Sequence, residues 1–238
     1  MQRFFERVYN FLVVRDVRDC CRYTERNACT IAARVGHLEC LKRARIIGCP
    51  WDEETCALAA AGGHLDCLQY ARENGCPWDE STCNAAVAGN WLHCLKYARQ
   101  QNCPWSELTI SIGILSRSRQ CVIWAAENGC PISPHTALNS ANDIEMLRLS
   151  REISCHWNED TCAAAARAGN IKCLQFAFTN NCPWDIRTCY YAATRGHFVC
   201  LKYAVENGCP VDVRVLYVTR RTSHKRCIKY LESVLKIE

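Results

Sequence analysis

The 238-residue sequence has few helix-breaking residues and no long apolar run. It holds only 11 glycines and seven prolines, and no Ser/Gly-rich, Pro-rich or Gln/Asn-rich tract, so its composition argues against a flexible linker or a disordered tail. No apolar stretch approaches the roughly 18 residues of a membrane-spanning helix. Arg3, Glu6 and Arg7 lie where a secretory signal needs an unbroken apolar core. We therefore expect synthesis in the cytosol and no membrane partner.

The sequence also lacks the motifs of common catalytic and nucleotide-binding sites. It has no P-loop, no G-x-S-x-G, no H-E-x-x-H and no G-x-G-x-x-G after a strand. We expect no catalytic residue, no cofactor and no enzyme activity. The net charge of +5 is mild, so it weakly favours acidic partners and does not by itself indicate nucleic acid.

Cysteine, by contrast, is abundant, with 21 residues spread over the whole chain. Disulfide scaffolds are usually short, secreted and even in cysteine count, so this odd number predicts mostly free thiols. Hydrophobic residues make up 49% of the sequence, which is enough for a sizeable core.

A short repeat, with a period of about 27 residues, organises the sequence. The threonines that mark it are Thr55, Thr82, Thr109, Thr136, Thr161 and Thr188, with the interval before Thr161 shortened by two. Tryptophans keep the same period at Trp51, Trp78, Trp105, Trp157 and Trp184, with Ile132 at the skipped position. Cysteines occupy three further positions of the repeat. The shortened interval before Thr161 indicates that one module has lost two residues.

Two short helices fit each module, as residues 55–81 illustrate. Small residues at helical spacing, among them Cys56 and Ala59, predict a first helix that ends at a Gly-Gly pair. A second helix begins near His64 and closes at Gly75. Neither helix is long enough to be stable alone, so the modules must stack. The sequence predicts an all-α solenoid of about eight helix-turn-helix modules.

The module resembles the ankyrin repeat, whose signature runs T-P-L-H-x-A-A-x-x-G-H-L and ends in G-A-D. The matching residues are Ala59, Ala60, Gly63, His64, Leu65 and Gly75. These repeats are roughly six residues shorter than those of the family, and the missing residues fall after Trp78, where the family builds its β-hairpin finger. The resemblance implies an ankyrin-like fold with fingers shortened or absent, a histidine that ties the interhelix turn together by hydrogen bonding, and protein binding.

The Cys-Pro-Trp form of the repeat looks like proteins encoded in multiple copies by large DNA viruses of amoebae and by some protists. The resemblance covers about residues 28–232. We expect residues 1–27 to form an N-terminal helical cap, and residues 28–238 to form a repeat array with a C-terminal capping repeat.

This resemblance implies a protein-protein interaction scaffold, a viral or host-directed adaptor in the host cytoplasm. A structural component of a virion or large assembly is one alternative, and a basic nucleic-acid-binding repeat protein is the other. No F-box-like segment is evident in the sequence, so recruitment to ubiquitin ligases is unsupported.

The cysteines and tryptophans each allow a structural and a functional interpretation. Pairs such as His64 and Cys67 suggest zinc, but a structural zinc site needs four converging ligands. Burial of small free cysteines is the favoured role, and we expect no metal. Exposed tryptophans stack on bases or sugars, yet a tryptophan at the same turn of most modules favours a wedge between layers.

Both ends of the chain are basic. These residues are Arg3, Arg7, Arg15, Arg18, Arg22, Arg214, Arg220, Arg221, Lys225, Arg226 and Lys229. Terminal repeats need a polar outer side, so solvated caps are the favoured role. Binding of an acidic partner or of nucleic acid is the alternative.

Irregular modules and variable first-helix positions supply the candidate partner-binding residues. The segment ISIGILSRSRQC replaces the usual turn with one that carries Arg117 and Arg119, and Trp91 takes the histidine position. The full predicted set is Thr30, Arg34, Ala57, Asn84, Ala88, Trp91, Arg117, Arg119, Arg167, Tyr190 and Arg195.

Overall fold

A computed structural model describes residues 27–237 of the chain. Sixteen α-helices and no strand lie in that part, and the helices follow one another as eight pairs. The chain divides into two compact units, Met1–Trp105 and Ser106–Glu238. The predicted N-terminal helical cap, residues 1–27, falls outside the described residues except for Asn27.

The first unit contains three described helix pairs. They are α1 (Ala28–Val35) with α2 (Leu38–Ile46), α3 (Glu53–Gly62) with α4 (Leu65–Glu73), and α5 (Glu80–Ala88) with α6 (Leu92–Gln100).

The second unit contains five helix pairs within its described residues. They are α7 (Glu107–Leu115) with α8 (Arg119–Glu127), α9 (Thr136–Ser140) with α10 (Ile144–Glu152), α11 (Glu159–Ala168) with α12 (Ile171–Thr179), α13 (Ile186–Thr194) with α14 (Phe198–Glu206), and α15 (Val213–Thr219) with α16 (Lys225–Leu235). Within each unit, first helices pack more closely on first helices than second helices pack on second helices.

The repeated threonine lies in the first turn of six of the first helices, α3, α5, α7, α9, α11 and α13. In α3 the Asp52 side chain accepts from the backbone of Thr55, while the Thr55 hydroxyl accepts from the Asp52 N–H at 3.4 Å. Ser106 and Thr109 form the same reciprocal pair at the start of α7. In α3 and α7 this capping box satisfies two backbone donors that the helix leaves open. The hydroxyls of Thr82, Thr161 and Thr188 are buried and do not make this bond, so the threonine also serves as a small packing residue.

The first helices end where the sequence places glycine. Gly63 follows α3 with φ = 75°, and the next N–H, of His64, donates to the carbonyl of Ala59 at 2.9 Å. Asn90 and Arg117 adopt the same left-handed conformation after α5 and α7, with φ of 60° and 58°. Glycine is thus the most frequent residue at this turn, and in two modules a residue with a side chain adopts the same strained conformation.

The interiors of both units consist of alanine, cysteine and a few leucines. Cys56, Ala59, Cys67 and Leu68 are fully buried, as are their counterparts in most modules. Every cysteine within residues 27–237 is a free thiol, and all of these except Cys40 are buried. The predicted packing role of the cysteines is therefore confirmed for the described part of the chain.

One set of thiols also donates hydrogen bonds between successive first-helix starts. Cys76 Sγ donates to the carbonyl of Asp52 at 3.3 Å, and Cys103 Sγ to that of Asp79 at 3.2 Å. In the second unit, Cys209 Sγ donates to Asp185 in the same way at 3.2 Å. Since the thiol is both a small apolar group and a weak donor, it fits a buried site that faces a carbonyl.

The repeated tryptophan is an interlayer wedge, as predicted. Trp51 lies under the guanidinium of Arg45, 4.3 Å from ring centroid to Cζ, and meets Tyr70 of the next module edge-to-face at 6.2 Å. In the second unit Phe178 replaces the arginine and stacks on Trp184 at 4.0 Å. The wedge therefore needs a flat group on one side, whether charged or aromatic.

The module that has lost two residues lies in the second unit, and the loss falls in its first helix. Helix α9 has five residues, whereas the other first helices have seven to ten. Its partner α10 keeps nine residues. The predicted fold class, an all-α helical-repeat architecture without β-hairpin fingers, is confirmed in residues 27–237.

Candidate binding surface

Side chains at the start of each second helix join that helix to the preceding module. In the first unit, His64 Nε2 donates to the carbonyl of Arg34 at 3.1 Å, and Trp91 Nε1 donates to that of Ala61 at 2.8 Å. The acceptor lies 30 residues earlier in both cases. The histidine thus makes a hydrogen bond at the interhelix turns, as the resemblance implied, and its acceptor lies in the turn of the preceding module.

The same arrangement recurs in the second unit. His197 Nε2 donates to the carbonyl of Arg167 at 3.2 Å, and Asn170 Nδ2 donates to that of Asn142 at 2.9 Å. Each unit thus has an edge of interhelix turns whose backbone is fixed from one module to the next. We call this the turn edge, and it places the ends of the first helices in a row.

Four of the predicted partner-binding residues in the first unit expose little side chain. Thr30 is half-buried and its hydroxyl lies 3.2 Å from that of Thr55. Ala57 and Ala88 are also half-buried, and Asn84 is only 6% exposed. These positions line the close contacts between first helices and add little to a surface.

Trp91 is the main exposed group on the turn edge of the first unit. It is 38% exposed, and its indole packs over the backbone of Gly63 and Gly89. His93 meets the indole edge-to-face at 5.9 Å and donates from Nε2 to the carbonyl of Gly63 at 2.9 Å. Arg34 is a basic residue in the last turn of α1, and its side chain is half-buried. The unit therefore presents an anchored aromatic pair.

The two arginines of the irregular turn in the second unit are held by carboxylates. Arg117 pairs with Asp143 at 2.7 Å, and Arg119 pairs with Glu152 at 2.6 Å. Arg119 also lines an open groove on the second helices with Arg148 and Phe176. Both guanidiniums are exposed, so the pairs fix their positions more than they stabilise the fold.

Three further predicted residues lie in the second unit. Arg167 is in the last turn of α11, Tyr190 is 37% exposed on α13, and Arg195 caps the C-terminus of α13. The structure therefore places Tyr190 in the middle of α13 and Arg195 at its C-terminal end, with Arg167 on the preceding first helix.

Sequence reasoning missed the counterpart of Tyr190 in the last module. Tyr217 lies one repeat period later, at the same position of α15, and is 67% exposed. Arg221 is the second residue after Thr219, the last residue of α15, so it lies at the C-terminal end of the helix that carries Tyr217. We call Tyr190, Tyr217, Arg195 and Arg221 the tyrosine face. The repeat interval was the signal that could have revealed it.

Positive charge is concentrated in the part of the chain that carries the tyrosine face. Residues 186–238 contain ten of the 29 lysines and arginines but only four of the 24 aspartates and glutamates. Their net charge is +6, whereas that of the whole chain is +5. The rest of the chain is therefore close to neutral.

Several of the buried thiols are poor nucleophiles and poor metal ligands. Burial raises the pKa of Cys29 to about 11 and that of Cys67 to about 12, from ordinary values near 9. Both therefore stay protonated at neutral pH, and it is the thiolate that attacks or binds metal. In the part of the chain that the structure describes, no three His, Cys, Asp or Glu side chains converge on a common point.

No helix among residues 27–237 combines the length and the apolar character needed to cross a bilayer.

Comparison with known proteins places the chain in a structural class. No family model and no curated protein matches it. Among solved structures it resembles the pentatricopeptide repeat protein PPR10 in complex with an 18-nt psaJ RNA element, at 14% identity, over 95% of this chain and 40% of that one, with a TM-score of 0.52. A second structure of PPR10 with this RNA element matches at 13% identity and a TM-score of 0.52.

The human ASB11 ankyrin repeat domain is also similar, at 14% identity, over 86% of this chain and 97% of that domain, with a TM-score of 0.43. At such identities the likeness concerns the fold alone. The chain spans less than half the length of PPR10. Together, the paired helices, the fixed turn edge and the likeness to PPR10 define a helical repeat protein.

Proposed function

We propose that this chain is a non-enzymatic scaffold that binds another protein along its turn edges and first helices. One observation carries the proposal: packing positions repeat from module to module, while the exposed residues do not. Trp91 stands where other modules have His64 and His197, and exposed Tyr190 and Tyr217 stand where earlier modules have the less exposed Thr30, Ala57, Asn84 and Ser111. A constant core beside variable positions is how repeat proteins distinguish partners.

The exposed residues also have the chemistry of a protein interface. Tyrosine, tryptophan and arginine are the side chains that most often dominate binding energy, and Trp91, Arg167 and Tyr190 are of these types. The turn edge holds their backbone rigid, which reduces the entropy lost on binding. Protonated thiols and open grooves support binding over catalysis.

The Cys-Pro-Trp form of the repeat supports a more specific assignment, a viral or host-directed adaptor in the host cytoplasm. A structural component of a virion is the alternative within this proposal. The two differ in abundance, since a structural component is present in many copies in purified particles.

Binding of single-stranded RNA is the second candidate function. It is favoured by the net charge of +6 in residues 186–238, and PPR10, which has a similar fold, binds an RNA element. A steep loss of affinity with salt would distinguish it, because each phosphate contact releases counterions.

Quantitative affinity capture with matched variants tests the leading proposal. The test variant combines Arg34→Glu, Trp91→Ala, Arg167→Glu and Tyr190→Ala. Arg117 and Arg119 are left unchanged, because reversing their charge would also break the pairs with Asp143 and Glu152. The control variant carries Lys96→Glu and Lys172→Glu, exposed positions on second helices.

We expect at least one protein to be captured by the parent and the control, and to be reduced about tenfold or more with the test variant. Circular dichroism checks that both variants keep the parent's helix content. The proposal fails if every captured protein is retained equally by all three chains, or if nuclease treatment removes every variant-dependent partner.

A further inference from the structure

The tyrosine face presents two aromatic side chains on adjacent layers. Tyr190 on α13 and Tyr217 on α15 occupy the same repeat position, and these two helices pack against each other. Val213, at the start of α15, is 57% exposed beside them in sequence. The tyrosines lie at equivalent positions of packed helices, and Val213 lies one turn before Tyr217, so these exposed side chains offer apolar contact area on neighbouring layers.

The cationic side chains at the C-terminal end of this face form no ion pairs within the described residues, whereas a neighbouring arginine does. Within residues 27–237, neither Arg195 nor Arg221 takes part in an ion pair, and the same holds for Lys225 at the start of α16. Arg220, by contrast, pairs with Glu232 at 2.7 Å. The C-terminal ends of α13 and α15 therefore carry unneutralised positive charge next to the tyrosines.

At the N-terminal ends of the same helices, the arginines are paired with carboxylates. Arg187 pairs with Asp160 and with Asp185, the latter at 2.7 Å, and Arg214 pairs with Asp212 at 2.6 Å. These carboxylates are partly exposed, at 34–38% of the side chain. The face thus runs from an end where three aspartates meet two arginines, past the tyrosines, to a cationic end.

This polarity distinguishes two classes of ligand. A nucleic acid carries a negative charge at every residue, so part of its backbone would lie against the three aspartates. A polypeptide can place carboxylates at the cationic end and apolar side chains on the tyrosines, leaving uncharged residues at the aspartate end. The charge pattern therefore favours a polypeptide with acidic residues grouped at one end.

We propose that the tyrosine face binds an extended segment of an acidic protein, with its carboxylates on Arg195 and Arg221 and its apolar side chains on Tyr190 and Tyr217. This inference rests on the proposed scaffold function and names the chemistry of the partner segment. The arginines offer bidentate hydrogen bonds to carboxylates, and the tyrosines supply contact area at low entropic cost.

Fluorescence anisotropy with defined probes on the full chain tests the inference. The probe is a labelled peptide of about 12 residues, built from a Glu-rich half and a Leu/Ser half, which extended spans about 40 Å. A matched peptide has glutamine at every glutamate, and an oligouridylate of about 12 nucleotides is the nucleic-acid probe. We expect the acidic peptide to bind about tenfold or more tightly than the glutamine peptide, and more tightly than the RNA.

Matched variants locate the binding. Arg195→Ala with Arg221→Ala, and separately Tyr190→Ala with Tyr217→Ala, should each weaken acidic-peptide binding about tenfold or more. Lys202→Ala with Lys229→Ala removes the same charge from the second helices of the same modules and should change it by less than about twofold.

The inference is overturned if the glutamine peptide binds equally well, if the lysine variant weakens binding as much as the arginine variant, or if the RNA binds more tightly. Failure here is distinguishable from failure of the scaffold function. A chain that captures a surface-dependent protein but ignores the acidic peptide keeps its proposed function and loses only this assignment.

Discussion

At the scale of single residues, the glycines that end the first helices serve two purposes. Gly63 adopts a left-handed conformation, and a Cβ placed on it would come within 2.5 Å of the Trp91 indole. Gly75 has a similar φ of 83°, yet nothing lies within 4 Å of such a Cβ. The first position thus combines backbone strain with close packing, and the second involves strain alone.

Gly63→Ala should therefore destabilise the protein more than Gly75→Ala. The strain common to both costs about 1–2 kcal/mol, and overpacking against Trp91 adds about 1–3 kcal/mol at Gly63. Urea unfolding followed by circular dichroism measures the two free energies. Equal losses would show that the indole moves aside without cost.

Thiol reactivity is a second residue-scale consequence. Burial raises the pKa of Cys29 and of Cys121 to about 11. At pH 8 the thiolate fraction of each is therefore about 100-fold lower than that of a thiol with a pKa near 9. Cys40, which is not buried, provides the internal comparison.

We expect iodoacetamide to label Cys40 before Cys29 and Cys121 in the folded protein, with the latter two labelled at least about 100-fold more slowly. In urea the three rates should converge. Peptide mapping by mass spectrometry measures them, and rapid labelling of Cys121 in the folded chain would contradict its burial.

At the scale of helices, the second helix of one module is joined to the next by the tryptophan wedge. The guanidinium of Arg72 lies 4.5 Å from the Trp78 centroid, and Trp78 meets Tyr97 edge-to-face at 6.4 Å. Phe178 performs the arginine's role at Trp184. Planar contact, and not charge alone, is the requirement that these contacts share.

Arg72→Ala should lower stability by about 1 kcal/mol, through lost cation-π contact and lost packing of the aliphatic stem. Arg72→Phe, which copies the pair at Trp184, should recover most of that loss. Lys96→Ala, an exposed change on α6, is the control and should be nearly neutral. Thermal unfolding compares them, and failure of the phenylalanine variant to recover stability would mean that the charge is essential.

Much of the element level could be predicted from the sequence. Local signals determined the paired helices, since Gly62 and Gly63 end α3 and small residues at Cys56 and Ala59 face its neighbours. The reach of His64 to Arg34 could not be predicted, because it joins residues 30 apart and depends on how layers stack. The arginine that stacks on the repeated tryptophan recurs in the sequence at the repeat period, and that spacing could have predicted the contact.

At the scale of the whole molecule, the raised pKa values of several buried thiols should make the folded state less stable at alkaline pH. Burial raises the pKa of Cys29, Cys121, Cys173 and Cys200 to about 11. The unfolded chain loses these protons near pH 9, while the folded chain keeps them to about pH 11. Above pH 9 the native state binds more protons, so stability falls as pH rises.

The free energy of unfolding should thus decline between about pH 9 and 11, each such thiol contributing a slope of up to about 1.4 kcal/mol per pH unit. Urea titrations across that range measure it. Cys121→Ala is the matched control and should reduce the slope by one thiol's share. An unchanged slope in that variant would mean that Cys121 does not titrate differently on unfolding.

The candidate surface was less predictable than the fold. Of the proposed residues, Trp91 and Tyr190 are exposed, whereas Asn84 is buried between first helices. The sequence alone does not show which side of α5 meets its neighbour, because small residues occur on both sides. Tyr217 was missed because the basic end was interpreted as a solvated cap, although its interval from Tyr190 is one full repeat.

The closely packed thiols also determine what happens when the protein unfolds. Thiols that the fold shields from solvent become exposed together, on a chain free to join any of them. In air, a denatured sample should accumulate mixed disulfides that block its return, so recovery on dilution from urea should require a reductant. Where oxygen is present and no reductant is supplied, the folded state itself is what keeps these cysteines reduced.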